Sequence, residues 1–151
     1  MAKSKAKGVE ALVIVHLSSL DAYTADRGFD EGEALALNIS QAILEHDGPV
    51  IVVDQGWPFY GRESRPRQLV LSEIEPRSDK ILWIGFDEAE EDWGPFLSRL
   101  KTMLDDFGVT DVVVGGLWFN PTLRSGCAST VYAYLKKRYR AKADPYILGY
   151  E

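Results

Sequence analysis

The 151-residue chain has a single cysteine. That excludes an internal disulfide and a cysteine-rich zinc site, and it fits a reducing, cytoplasmic setting. No apolar run approaches the roughly 18 residues that a membrane-crossing helix needs, so no membrane association is expected. Positive charge is scarce: 17 Lys and Arg against 23 Asp and Glu leave a net charge of −6. No face-long basic stripe appears, so nucleic acid is not expected as the main partner. The basic start, MAKSKAK, lacks the apolar stretch of a signal peptide. Residues 1–8 are expected to form a solvated, disordered tail. The chain also lacks internal repeats, low-complexity segments and any interdomain linker.

What is present reads as an ordinary globular protein, with 46% apolar and 26% charged residues. The length suits about one domain, and residues 9–151 are predicted to form a single α/β domain. Val9 to Leu17 is a β-branched apolar run, hence a buried strand. Ser18 to Gly28 reads as a polar loop. Asp30 with Glu33 has capping-box spacing, and Leu35, Ile39, Ala42 and Ile43 form a helical stripe that stops at Gly48-Pro49. Val50 to Val53 is a second strand, ending in Asp54-Gln55-Gly56. The segment from Trp57 to Ser78 holds three prolines and four arginines, and its Leu69-Val70-Leu71 cluster fits a helical turn or an edge strand.

Lys80 to Phe86 is a third strand. Gly94-Pro95 opens a helix, where the missing proline N–H costs nothing. Leu97, Leu100, Leu104 and Phe107 continue it, and Gly108 closes it. Asp111 to Val114 opens a fourth strand, which Gly115-Gly116 and Pro121 are expected to break into a loop. A helix patterned on Val131, Tyr134, Leu135 and Arg138 follows, then a fifth strand over Tyr146 to Tyr150. Strands separated by helices imply a three-layer αβα, Rossmann-like fold with a mainly parallel five-stranded sheet. The strand order is expected to switch near strand one or four.

Ligands of such sheets bind beyond the carboxyl ends of the strands. The candidates there are His16, Ser18, Ser19 and Asp21, then Asp54 and Gln55, then Asp87 and Glu88, and finally Gly116, Trp118, Asn120 and Cys127. Each has a structural alternative: a buried histidine, a turn-capping aspartate, a solvated acidic loop, an aromatic loop anchor. Cys127 is placed to open a helix, where the dipole and the first N–H groups favour the nucleophilic thiolate. A small buried residue is its alternative role. Two glycines at a strand end point to a positive φ or to close approach by a ligand.

The stretch LDDFGVTDVVVGGLW followed by GCASTVYAYLKKRY resembles the C-terminal half of the isochorismatase-like cysteine hydrolases. EALVIVHLSS and PVIVVDQGWP are similar to that family's first and second strands. The resemblance implies Cys127 as the nucleophile and a non-proline cis peptide within Gly115 to Trp118. It also implies frequent oligomers, here a homo-oligomer, and a sixth strand that this chain is expected to lack. The chain departs from the family at two of three triad positions. His16 stands where the catalytic aspartate is expected, and Phe86-Asp87-Glu88 stands where the lysine is. No histidine follows the Asp54 to Trp57 turn that nicotinamidases use for metal.

Three functions stay open. One is a hydrolase of a small amide, ester or vinyl ether, with Cys127 attacking and His16 as base. Asp54, Gly116, Trp118 and Asn120 would then line the small-molecule site, with neither metal nor cofactor. Another is an inactive relative serving as a binding or assembly subunit. The third is a magnesium enzyme using Asp54, Asp87 and Asp21, since hard cations prefer carboxylate oxygen.

Overall fold

The computed structural model describes residues 8–54, 81–85 and 93–151. The chain runs β1 (Val9–Val15), a 3-10 turn (Leu17–Ser19), α1 (Leu20–Arg27), α2 (Phe29–Glu45), β2 (Val50–Asp54) and β3 (Ile81–Gly85). It continues through α3 (Gly94–Asp106), β4 (Val109–Phe119), α4 (Cys127–Leu135) and β5 (Arg140–Tyr150). The strands form one all-parallel sheet in the order β3-β2-β1-β4-β5. This is the α/β fold expected, with the switch at β1.

Period-two alternation explains why β1 reads as an unbroken apolar run. Ala11, Val13 and Val15 pack with Phe96 and Leu100 of α3 and Val131 and Leu135 of α4. Leu12 and Ile14 face the other way, onto Leu20 and Tyr23 of α1 and Leu35 and Ile39 of α2. Helices thus cover both faces. Burying each such Leu or Ile contributes about 1.5–3 kcal/mol.

Several boundaries differ from the sequence expectations. Ser18 to Gly28 is largely helix, not loop: Leu20 and Tyr23, three apart, are buried against the sheet. Two apolar positions in eight residues are too few to register as a period, so tertiary burial decides. The Asp30–Glu33 capping box does not form. Gly28 (φ 102) both ends α1 and starts α2, leaving no extended capping segment between them. A Cβ at Gly32 would overlap Thr24, so the glycine lets the two helices meet closely.

The fourth strand does not end at Val114 but runs to Phe119. It lies between β1 and β5, and both supply partners at Gly116, which pairs with Val15 and Leu148. Only β5 continues past the glycines, with Leu117 on Gly149 and Phe119 on Tyr150. The fifth strand starts at Arg140, six residues before its expected start at Tyr146. Its charged first half alternates exposed and half-buried residues, as on an edge strand, and a register shift beyond Ala143 accommodates Pro145. The first strand ends two residues early, because His16 turns left-handed. The last helix stops at Leu135, and the Arg138 guanidinium donates to the Tyr134 carbonyl beyond its end. The segment 57–78 and the basic start, 1–7, lie outside the described residues.

Candidate functional site

The sheet order reverses between β1 and β4. β1 hands over to helices on one face and β4 to a helix on the other, the arrangement at whose carboxyl ends open α/β sheets bind their ligands. His16 and the segment 120–126 leading to Cys127 both leave the sheet there, just past the Val15–Gly116 pair.

His16 has φ 58 and ψ 58, a left-handed conformation uncommon outside glycine. Its N–H donates to the Val53 carbonyl at 2.6 Å, tying the turn to β2. The ring is 2% exposed, and its Nδ1 lies 3.2 Å from the Ser19 hydroxyl.

Cys127 is the first residue of α4, half-buried against the apolar cluster on the α3 and α4 face. Gly126 caps the helix with φ 93. A Cβ there would overlap the Trp118 carbonyl, so the loop returns tightly onto β4. The Thr130 N–H and hydroxyl each donate to the Gly126 carbonyl at 3.0 Å. The first helical N–H groups point out of the helix, where they favour negative charge.

Gly116 has φ 103, and any Cβ at this position would run into the Val15 backbone. The Leu117–Trp118 peptide bond is cis, so the Gly115 to Trp118 stretch shows both features expected of it. The Trp118 indole lies 5.6 Å from the Tyr23 ring, against the cluster on the α1 and α2 face. Trp118 and Cys127 therefore pack against opposite faces of the sheet. Arg27 stacks over Tyr23 at 5.2 Å and donates to the Tyr150 carbonyl at 2.5 Å, joining α1 to the end of β5. Burial raises the Tyr23 phenol above its ordinary value, against the opposing pull of Arg27.

Asn120 is engaged on every side. Its Oδ1 accepts from the Thr122 N–H at 2.9 Å and hydroxyl at 2.7 Å. Its Nδ2 donates to Ser125 Oγ at 3.3 Å and Glu151 Oε1 at 3.0 Å. Its backbone N–H donates to the Ser129 hydroxyl at 2.6 Å. Ser125 Oγ donates to Glu151 Oε1 at 2.5 Å, and the Glu151 N–H to the Phe119 carbonyl at 3.0 Å. The hydrogen bond from Ser125, then that from Asn120, hold the Glu151 carboxyl below the usual carboxylate range.

The remaining candidates are placed less fully. Asp54 ends β2, and only its backbone is described, paired with Gly85 of β3. Asp21 sits in the first turn of α1. Gln55, Asp87 and Glu88 lie outside the described residues. Among the described residues no three His, Cys, Asp or Glu side chains form a metal-holding group. Ser129, Glu151, Tyr23 and Arg27 were not singled out from sequence. No spacing marks them, since α4, the end of β5 and α1 carry them from distant positions.

The parallel sheet, its switch in strand order and the helices on both faces define a doubly wound α/β protein, with Cys127 at the head of the helix that follows β4. No family model and no curated protein matches the chain. Among solved structures it is similar to the MAR1 ribonuclease from Caenorhabditis elegans. The two are 14% identical with a TM-score of 0.48, over 95% of this chain and 66% of that one. The chain thus spans about two thirds of that protein's length. No helix among the described residues is long and apolar enough to cross a membrane.

Proposed function

We propose that the chain binds a small molecule at the carboxyl ends of β1 and β4 and hydrolyses it as an isochorismatase-like enzyme, with Cys127 as nucleophile. One observation carries this reading: the cysteine opens α4 beside the switch point of the sheet. In the proposed reaction the Cys127 thiol gives its proton to His16, and the thiolate sulfur adds to the acyl carbon of an amide or ester. Backbone N–H groups at Gly126 and Cys127 receive the oxyanion. The leaving group departs with the proton, and water then hydrolyses the thioester, restoring the thiol. Gly116, Trp118, Asn120 and Asp54 are the proposed surroundings of the ligand. No metal takes part.

A second reading, an inactive relative that binds or assembles, is favoured by the His16 ring. It is buried and lies within hydrogen-bond distance of Ser19 in its own turn, and no lysine stands in residues 86–88 after β3. Reaction with small activated esters separates the two. A catalytic protein gives a burst and a mass increase on Cys127, both absent in Cys127→Ser, and His16→Ala slows the burst about 10²–10⁴-fold. A protein showing neither burst nor adduct is the inactive relative.

The proposal includes a reducing, cytoplasmic setting and self-association, which the exposed Phe29, Leu37 and Tyr146 side chains support. Sedimentation over a hundredfold concentration range tests the second point, and a monomer throughout would remove it. Residues 9–151 are proposed to melt as one cooperative unit.

A further inference from the structure

We propose that Glu151 is a positioning residue that restrains the Cys127 thiol by holding the 120–126 loop against the end of β5. This rests on the reading of Cys127 as the reactive group, but on no particular substrate. The loop is exposed at Pro121, Thr122, Arg124 and Ser125, and little apolar burial fixes it. Hydrogen bonds hold it instead. Ser129 holds only the Asn120 backbone, at the start of the loop. At the far end, next to the cysteine, Ser125 is bound to Glu151 and to Asn120, which is itself bound to Glu151. Glu151 in turn is fixed by its own N–H on Phe119 and by Arg27 on the neighbouring Tyr150 carbonyl. Among the described residues, this carboxylate bridges the loop to β5.

The carboxylate also acts through its charge. A Cβ placed on Gly126 would lie 3.2 Å from Glu151 Oε2, so the negative group rests beside the residue that caps α4, one position before the thiol. A like charge there disfavours the thiolate and works against the helix dipole. On the surrounding elements α1 carries Asp21, Asp26 and Arg27, the loop Arg124, and β5 Arg140, Lys142 and Asp144. Arg27 pairs with Asp26 and Arg140 with Asp111, and among the described residues none of these cations makes an ion pair with Glu151. Removing the carboxylate therefore frees the loop and relieves the repulsion, and both effects speed attack by the thiol. Productive turnover needs the ordered loop and moves the other way.

The experiment is the rate of Cys127 alkylation by iodoacetamide between pH 5 and 9 in wild type, Glu151→Gln, Glu151→Ala and Ser125→Ala. Circular dichroism of each variant checks that it is folded. Loss of the charge alone, in Glu151→Gln, is expected to lower the inflection by about half a unit and speed alkylation roughly threefold at neutral pH. Glu151→Ala also frees the loop and is expected to react about tenfold faster. Ser125→Ala cuts the loop from an intact carboxylate and must also react faster, with an inflection near that of wild type. Unchanged or slower alkylation in folded Glu151→Ala and Ser125→Ala overturns the proposal. Faster alkylation with no burst in wild type leaves the restraint standing and removes the hydrolase. A burst in wild type with no change in the variants does the reverse.

Discussion

The two central strands hand over to their helices in different ways. β1 ends at Val15, turns at a buried His16 and enters α1 through Leu17 and Leu20, both fully buried. β4 ends at Phe119 and crosses an exposed seven-residue loop, 120–126, before α4 begins. The first connection combines apolar burial with the His16 N–H bond to Val53, and the second is held by hydrogen bonds among Asn120, Ser125, Ser129 and Glu151. Burial is non-directional and survives a change of pH, whereas hydrogen bonds hold one geometry and can be released singly. Cys127 follows the second kind of connection, which hydrogen bonds to the Glu151 carboxylate hold at the end of β5.

The largest effect is expected where both connections depend on one residue. In Gly116→Val the new side chain would collide with the Val15 backbone and be held at a φ of 103. Strain and overpacking together cost about 3–5 kcal/mol. Loss of the cooperative melting transition is the expected readout, and a fall in Tm of only a few degrees would contradict the close β1–β4 approach.

Leu20→Ala tests the buried connection. It should cost about 2–5 kcal/mol in urea unfolding, by leaving a cavity under α1. Its effect should be the same at pH 4.5 and pH 7. A strongly pH-dependent loss would show that polar contacts, not burial, hold the β1 turn.

Ser129→Ala tests the polar connection at its buried end. The Asn120 N–H loses its acceptor, at a cost of about 1–3 kcal/mol. Because the loop then loosens, proteolysis within 120–126 should accelerate well ahead of global unfolding. Uniform destabilisation, with no local cleavage, would mean that the loop does not depend on this bond.

Glu151→Gln should have the smallest effect on stability. The folded carboxyl lies below its ordinary value of 4.5, so its contribution is present above that pH and lost as the pH falls through the lower folded value. The group is exposed and salt screens it, so Tm at pH 7 should hardly move. The variant and wild type should converge further in acid. A gap between them that widens below pH 4 would reverse the sign and contradict the assigned cause.

How much was legible from sequence follows the same division. The cores of β1 and β2 stand out as unbroken apolar runs and those of α2 and α3 because their apolar residues repeat at helical intervals, and Gly48-Pro49, Gly94-Pro95 and Gly108 punctuate them. Cys127 could be placed at a helix start from Gly126 and the pattern of Val131 and Leu135 alone. α1 was hidden, because an eight-residue helix with two buried positions has no period to detect. The last five residues of β4 and the first six of β5 were hidden too. Gly115-Gly116 and Asp144-Pro145 break strands in isolation, and only the neighbouring strands supply the pairing that carries the backbone through.

By itself, then, the sequence determined the layered α/β architecture and the cysteine at the head of a helix, and it left the sheet switch near strand one or four. These follow from local periodicity and from the conformations open to glycine and proline. Only the tertiary structure decided what surrounds that cysteine. Asn120, Ser129 and Glu151 come from three different elements, and Trp118 with Tyr23 and Arg27 from opposite ends of the chain. Side chains so far apart in sequence share no spacing rule, and they meet because parallel strands bring their carboxyl ends to the same edge.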